Sequence, residues 1–392
     1  MERKQVADLV NQALREVTGE TTLLTEDLTG VVDTGKTLAD LGQNAVDAFT
    51  GILMDRVAKT VFVNRSYTGR LPSVIMSDWE YGGILQKIST RLKTAQENQA
   101  FELRDGQSYD PNIFYAPEVV QKLFNDRVTF DVPQSIARKQ VTTAFESAAQ
   151  LNGFISMLTG WAENSMTIHM DNLVMRTVNN FIAETLYQSF SGSGGDIGSG
   201  STAKAVNLLY LYNQTVTTPI NAAAALYDPA FLRFAAYTMR LYVDRLKAVS
   251  TIFNLGGEQR FTPRESLKIF MLADFAAAAD VYLYSGTFHD EMTKFPTAET
   301  VPFWQGTGTD FGLSSTGAVK IKTSEGNTVD YSGILSVMFD RDALGVAPLD
   351  RWTESQRVAP GSFTNYWYKM EAGYFNDFNE NFVVFYVADA TT

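Results

Sequence analysis

The segment from Ile334 to the end of the chain constrains the fold most. An unbroken apolar run, Ile334 to Phe339, stops at Asp340-Arg341-Asp342. Ten of the twenty-four residues from Phe363 to Tyr386 are Phe, Tyr or Trp. Phe382-Val383-Val384-Phe385-Tyr386-Val387 follows, and a run of β-branched and aromatic residues of this length reads as a buried strand. The sequence therefore predicts that the C-terminal segment is tied into a sheet. A nucleic-acid stacking platform would need basic residues among the aromatics. Only Lys369 lies between Phe363 and Tyr386, alongside Glu371, Asp377 and Glu380, so sheet packing or a subunit interface fits better.

The chain has 392 residues, 45% hydrophobic and 19% charged, enough for a large core in two or three domains. It has no cysteine, which excludes disulfides, thiolate catalysis and cysteine-ligated zinc. No apolar run is long enough to predict a membrane span, and Met1-Glu2-Arg3-Lys4-Gln5 does not read as a secretory signal. Net charge is −12, and no dense basic cluster is visible along the chain. A subunit of this charge repels nucleic acid at long range.

Val6, Leu9, Val10, Ala13, Leu14 and Val17 recur at helical spacing, predicting an amphipathic helix over 3–17. A polar Thr-, Gly- and Asp-rich stretch over 18–37 reads as an extended arm. Residues 38–60 read as helical, and Val61-Phe62-Val63 as a short strand. From 64 to 138 apolar runs are short and charge is balanced, with a polar tip over 93–112 and a turn at Asp105-Gly106. This predicts a long two-stranded projection with little core of its own. Phe130-Asp131-Val132-Pro133 alternates like a strand that ends at its proline.

No proline occurs from Gln134 to Thr218. Phe145, Ala148, Leu151, Ile155, Leu158 and Trp161 line one helical face, continued by Ile168, Met175, Val178, Ile182 and Leu186. Gly153 and Gly160 each cost about 1 kcal/mol relative to Ala in a helix, predicting a break near Gly160 and then a helix to about Phe190. The Gly/Ser runs at 191–195 and 198–201 read as a flexible linker. Beyond them the texture is α/β. Asp228-Pro229 starts a helix whose apolar face is Phe231, Phe234, Ala235, Leu241, Tyr242 and Val249. A buried strand is expected at Leu267–Leu272, a helix at Phe275–Tyr284, and a hairpin about Glu325-Gly326-Asn327.

Gly30-Val31-Val32-Asp33-Thr34-Gly35-Lys36-Thr37 matches the phosphate-loop pattern, with Gly30, Gly35, Lys36 and Thr37 as its working residues. The run ending at Asp340 would supply the acidic strand of such a site. Context argues against it: the preceding Thr21–Asp27 is polar and acidic rather than a buried strand, and Asp33 would put a carboxylate in an anion cradle. His169 and His289 are 120 residues apart and lack a serine partner for a triad; His169 with nearby Asp171 could ligate a metal, but an exposed or half-buried helix position is the expected role. Asp340 and Asp342 are expected to cap a helix begun at Ala343. No catalytic residue, metal site or cofactor is expected.

The order of parts resembles the major capsid proteins of tailed bacteriophages. Trp79-Glu80-Tyr81-Gly82-Gly83-Ile84-Leu85-Gln86-Lys87-Ile88 resembles the start of their extended loop. Ala273 to Leu283 resembles part of their central domain. Gly333 to Val346, Asn365-Tyr366-Trp367 and Asn381 to Phe385 resemble their C-terminal part. The resemblance implies an α+β shell-forming fold: an N-terminal arm (1–63), an extended β-hairpin loop (64–138), a peripheral domain (139–204 with 340–392) carrying a long spine helix and a thin sheet that the terminal strand rejoins, and an axial α/β domain (205–339). It implies self-assembly as hexamers and pentamers into an icosahedral head around double-stranded DNA, bound without sequence specificity and with no membrane. Production in the host bacterial cytoplasm, a separate scaffolding protein and a portal are implied too, with no N-terminal segment cleaved. Loop residues Trp79, Tyr81, Lys87, Lys93, Arg104, Tyr109 and Phe130 are the expected inter-subunit contacts. Lys87 and Lys93 lie where some members cross-link a lysine, but no partner pattern accompanies them. A nanocompartment shell of the same fold, and a phosphate-loop NTPase, are the alternatives.

Overall fold

The computed structural model describes residues 3–18, 34–36, 40, 45–49, 51–52, 71–76, 84–93, 95, 97, 112–137, 148–284, 296–305 and 312–390. The expected strand at 61–63, the turn at Asp105-Gly106 and His289 lie outside them. In chain order the elements begin with α1 (Arg3–Thr18), β1 (Leu85–Thr90), β2 (Val119–Phe124), β3 (Arg127–Ala137) and α2 (Ala148–Ser189). Next come β4 (Ala205–Asn207), α3 (Leu208–Asn213), α4 (Ala222–Ala225), α5 (Pro229–Arg245), β5 (Leu267–Leu272) and α6 (Ala273–Tyr284). The chain continues through β6 (Glu299–Val301), α7 (Leu313–Thr316), β7 (Val319–Lys322), β8 (Thr328–Tyr331) and β9 (Ile334–Asp340). It closes with β10 (Leu344–Val358), β11 (Phe363–Asn376) and β12 (Phe382–Tyr386). This is an α+β chain in two units: Met1–Tyr81, Arg127–Val174 and Val346–Gly373; and Gly82–Asp126, Met175–Gly345 and Tyr374–Thr392.

The first unit holds a three-stranded sheet of order β10-β11-β3, long and thin. β3 runs antiparallel to β11 from Ala137 opposite Phe363 to Arg127 opposite Gly373. The strand does not end at Pro133, which sits opposite Trp367. Among the described residues β3 is the sheet's edge, where a residue without an N–H need not break a ladder. On β11, Tyr366, Tyr368, Met370 and Ala372 are buried at every second position, the period of a strand with one covered face. α1 buries Ala7, Val10, Ala13 and Leu14. His169 stacks on Phe130 with ring centroids 5.6 Å apart, at a half-buried position on its helix.

α2 has 42 residues, about 63 Å at the usual helical rise. It does not break at Gly160. Glycine keeps its backbone N–H, so its cost is entropic and the hydrogen-bond run survives it; proline would have removed a donor. Met175, Val178, Ile182 and Leu186 are buried as expected, but the buried face departs from the expected one over the preceding turns. Ala162, Met166, Met170, Leu173 and Val174 are buried, whereas Ile168 is 59% exposed and Trp161 37%.

The second unit is built on a five-stranded sheet of order β4-β12-β9-β5-β6. β9 is antiparallel to both β12 and β5, and all seven of its residues are buried. The terminal strand β12 is thus tied into a sheet as expected, but into this five-stranded one. It is β11 that joins the thin sheet. Asp340 does not cap a helix: its carboxylate accepts from the Asp342 N–H at 3.0 Å and its carbonyl from Ala343 N at 2.9 Å. That is an aspartate-stabilised turn, and it leads directly into β10.

Phe181 of α2 is fully buried, stacked on Phe382 at 4.0 Å and against Phe378 at 4.7 Å. Asn179 donates to the Trp304 carbonyl (2.7 Å), and Trp304 Nε1 to the Ile334 carbonyl (2.9 Å). α5 starts at its Asp228 cap, whose Oδ1 accepts from Ala230 and Phe231 N–H. Phe231, Leu232, Ala235, Met239 and Tyr242 face the core, while Val249, expected on that face, lies past the helix end and is 55% exposed. β7 and β8 form the expected hairpin.

The Gly/Ser stretch after α2 is ordered and not a free linker. The Tyr386 hydroxyl lies 3.0 Å from the Ile197 carbonyl and 3.3 Å from that of Gly200. Asp196 accepts from Gly198 N at 2.9 Å, and Gly198 is buried.

Candidate assembly interface

β1 and β2 pair antiparallel from Leu85 opposite Phe124 to Thr90 opposite Val119. Strand geometry sends alternate side chains to opposite faces. One face carries Leu85, Lys87, Ser89, Val120, Lys122 and Phe124, all half-buried. The other carries Ile88, Val119 and Leu123, at 62%, 56% and 60% exposure, each opposite an exposed polar residue (Gln121, Thr90 and Gln86), with Ile84 beside them at 52%. Leu92, Ile113, Phe114 and Tyr115 extend the exposed apolar surface beyond the ladder. An isolated two-stranded ribbon with one wet apolar face is marginal by itself, so something must anchor the covered face.

The anchor is mostly electrostatic. Lys87 stands directly opposite Lys122. Between them sits Asp377, 2% exposed, whose Oδ2 is 2.7 Å from Lys87 Nζ and whose Oδ1 is 2.7 Å from Lys122 Nζ. Lys87 also reaches Glu380 Oε1 at 2.7 Å and donates to the Asp342 carbonyl at 3.1 Å. Arg260 approaches the same Glu380 oxygen at 3.2 Å and donates through Nη2 to Ser89 Oγ at 3.2 Å. Arg91 pairs with Glu258 at 2.7 Å. One apolar contact joins them, Phe124 on Phe375 at 4.9 Å.

Burial acts to raise the Asp377 carboxyl, but hydrogen bonds from Lys122 and Lys87 and the charge of Lys87 outweigh it and hold its pKa low. Burial likewise acts to lower Lys87, and its bonds to Asp377 and Glu380 reverse that and hold it high. Both partners thus favour the ion pair. Asp340, with no ion pair among the described residues, is pushed up by burial, against hydrogen bonds from Asp342 N–H and Thr262.

Of the residues expected to touch neighbouring subunits, Lys87 is engaged within its own chain as described. Lys93 Nζ donates to the Ala116 carbonyl, and Phe130 stacks on His169 within the first unit. Trp79, Tyr81, Arg104 and Tyr109 lie outside the described residues. So do Gly30 and Thr37 of the phosphate-loop match, while Gly35 and Lys36 fall in a helical turn at 34–36. β9, the strand that would serve such a loop, is antiparallel to both neighbours, unlike the parallel strand of a phosphate-loop fold. Among the described residues no group of three or more acidic or histidine side chains could hold a metal, and no helix is long and apolar enough to cross a membrane.

Sequence reasoning did not find Lys122, Arg260, Asp377 or Glu380. The signal for Lys122 was present: Lys87 and Lys122 occupy the inward positions of two alternating segments. Nothing in the sequence placed Asp377 between them.

An exposed apolar ribbon on an α+β body, with a long helix and a thin sheet, defines a subunit built to be packed against others. The sequence model of the Phi29-like phage major capsid proteins matches residues 9–386, and the chain belongs to that family of structural capsid proteins. It is a phage major capsid protein, a component of the virion shell, and proteins of this kind assemble into oligomeric shells. Among solved structures, it is similar to the capsid of Staphylococcus phage Andhra at 9% identity and TM-score 0.46, covering 81% of this chain and 83% of that one. A chain from the native bacteriophage P68 structure of head fiber and inner core protein gives 9% identity and TM-score 0.49, covering 83% and 86%. The mature capsid of bacteriophage PhiM1 gives 8% and 0.42, covering 84% and 90%. No curated protein matches. The assignment rests on the family match.

Proposed function

We propose that the subunit builds an icosahedral head from hexamers and pentamers of itself, and that the exposed face of the β1–β2 ribbon is a surface its neighbours cover. The observation that carries this is the row Ile84, Ile88, Val119 and Leu123, exposed on one side of a ribbon whose other side is pinned by charges. Contiguous apolar surface of this kind marks an interaction site. In this reading residues 64–138 are the extended loop, 1–63 an arm, 139–204 with 340–392 the peripheral domain and 205–339 the axial domain. Trp79, Tyr81, Lys93, Arg104 and Tyr109 contact neighbours from the loop. The protein is purely structural. It is made in the host bacterial cytoplasm, assembles with a separate scaffolding protein and a portal, and encloses double-stranded DNA without reading its sequence.

The test is the double variant Ile88→Ser/Leu123→Ser. These side chains already face water in the subunit, so circular dichroism and melting temperature are expected to stay as in the parent. Negative-stain microscopy is expected to show free subunits where the parent forms closed shells. Normal shells from the double variant would refute this role for the ribbon.

A further inference from the structure

Folding gathers a basic surface that is not evident along the chain. Residues 229–268 carry seven Lys or Arg against three Asp or Glu, net +4 in a chain of net −12. On α5 the solvent side is Arg233, Tyr237, Arg240 and Asp244, followed by Lys247, all exposed. Tyr237 is 65% exposed. Asp244 is the acidic member of this row, and cations surround it. Lys247 Nζ is 2.5 Å from its Oδ1, and Arg240 and Arg264 lie within electrostatic reach of it. Arg264 comes from the segment before β5, seventeen residues beyond Lys247, and the fold brings it to Asp244. Arg245 lies over the Tyr242 ring at 5.4 Å.

We propose that this outer face of α5, with Arg233, Arg240, Lys247 and Arg264, meets the phosphate backbone of double-stranded DNA. The inference rests on the reading of the protein as a shell around such DNA. Arg233 and Arg240 lie along the helix, with Lys247 and Arg264 near Asp244 at its C-terminal end, an elongated array that suits a repeating anion better than a single one. Arg233 and Arg240 are seven residues apart, about 10.5 Å along a helix, and three steps along one DNA strand advance about 10 Å. No side-chain pattern for reading base edges accompanies them, so the contact is independent of sequence. The charge of the rest of the subunit keeps it weak and local.

The experiment uses the full-length protein and a fluorescent random-sequence duplex of about 20 base pairs, followed by anisotropy over a salt series. The parent is expected to bind in low salt, with affinity falling steeply as salt rises. Arg233→Gln/Arg240→Gln/Lys247→Gln is expected to bind at least tenfold more weakly, with a log–log salt slope shallower by about 2.7, three phosphates at 0.9 each. Arg233→Lys/Arg240→Lys keeps the charge and is expected to keep the slope. No duplex binding by the parent, or equal binding by the triple Gln variant, would overturn the assignment. So would competition by polyglutamate as effective, per charge, as by unlabelled duplex, since the face would then fit an acidic protein. Shell formation by the triple Gln variant, scored by microscopy, separates the two readings: closed shells with lost DNA binding support both, and closed shells with retained binding overturn only this one.

Discussion

Lys87 and Lys122 stand directly opposite one another on the β1–β2 ladder and hold the Asp377 carboxylate between them, each 2.7 Å from a different oxygen. Like charges opposite each other destabilise a strand pair. Here the repulsion becomes a clamp, because the turn after β11 delivers a buried anion to the midpoint. Asp377 is itself fixed, with its N–H donating to the Ala343 carbonyl at 2.6 Å and its Oδ1 accepting from Asn379 N at 3.1 Å.

Asp377→Asn should therefore free the ribbon. It leaves two lysines facing each other with Glu380 alone to compensate. Removing one partner of a fully buried pair costs about 3–5 kcal/mol. The lysines keep 23% and 32% of their side-chain exposure, so about 2–3 kcal/mol is expected here. Hydrogen exchange should show amides of residues 85–90 and 119–124 losing protection while those of β9 and β12 keep theirs. Unchanged protection in the ribbon would mean the clamp does not anchor it.

The same clamp sets a pH dependence. Asp377 titrates below its ordinary 3.8 in the folded protein, so its contribution is complete above that value and is lost as pH falls through the lower folded one. Lys87 titrates above its ordinary 10.5, so its contribution is complete below that value and fades only as pH rises through the folded one. Asp340 has the opposite acid-side sign. Raised by burial, it favours the fold most below 3.8 and loses that as pH rises through its folded value. Ribbon protection should thus be flat from weakly acid to weakly alkaline pH and collapse in strong acid, and Asp377→Asn should abolish that acid step. An acid step of the same size in the variant would place its origin elsewhere.

What could be read from the sequence was what local chemistry decides. The Asp228-Pro229 helix start, the β7–β8 hairpin, the buried strand at Leu267–Leu272 and the α+β class follow from caps, turn residues and apolar runs. The errors lie where tertiary partners decide. Pro133 stays in a strand because that strand is an edge. Ser191–Ser201 is ordered because Tyr386 reaches it. The chain after Asp342 goes into strand β10 at Leu344 and not into a helix, because β11 pairs with β10. The candidate interface was half legible: Lys87 was singled out, but its partner Asp377 lies 290 residues away, and no local pattern connects them.

Gly333 joins β8 to β9 at φ +76°, where a Cβ would lie 2.2 Å from the Val387 carbonyl oxygen. That carbonyl is held in place, since Val387 N donates to the Gly333 carbonyl at 2.9 Å. Gly333→Ala meets both a left-handed backbone, costing about 1–3 kcal/mol, and a clash with main chain that can yield only by loosening the end of β12. Denaturant unfolding should show a midpoint lowered accordingly. Gly326, at φ +87° with only the flexible Lys322 side chain near its Cβ, supplies the comparison: Gly326→Ala should cost the backbone strain alone.

Phe181 of α2 stacks on Phe382 and packs at a tilt against Phe378, and it is wholly buried. Its loss removes two aromatic contacts and leaves a cavity against β12, the strand that closes the chain's most aromatic segment. Phe→Ala in such a core costs about 3–5 kcal/mol, while Phe181→Leu, nearer in volume, should cost about 1.5 kcal/mol or less. In denaturant titrations both variants should lower the midpoint in that order without changing the slope, because the surface exposed on unfolding is the same. The ribbon clamp and this stack are built on one turn, with Asp377 beside Phe378 and Glu380 between Phe378 and Phe382, so Phe181→Ala and Asp377→Asn should depart from additivity by about 0.5 kcal/mol or more. A loss of under 1 kcal/mol for Phe181→Ala would mean that the helix is held to the sheet by its polar ties, Asn179 to Trp304 and Glu184 to Ser324, and not by this stack.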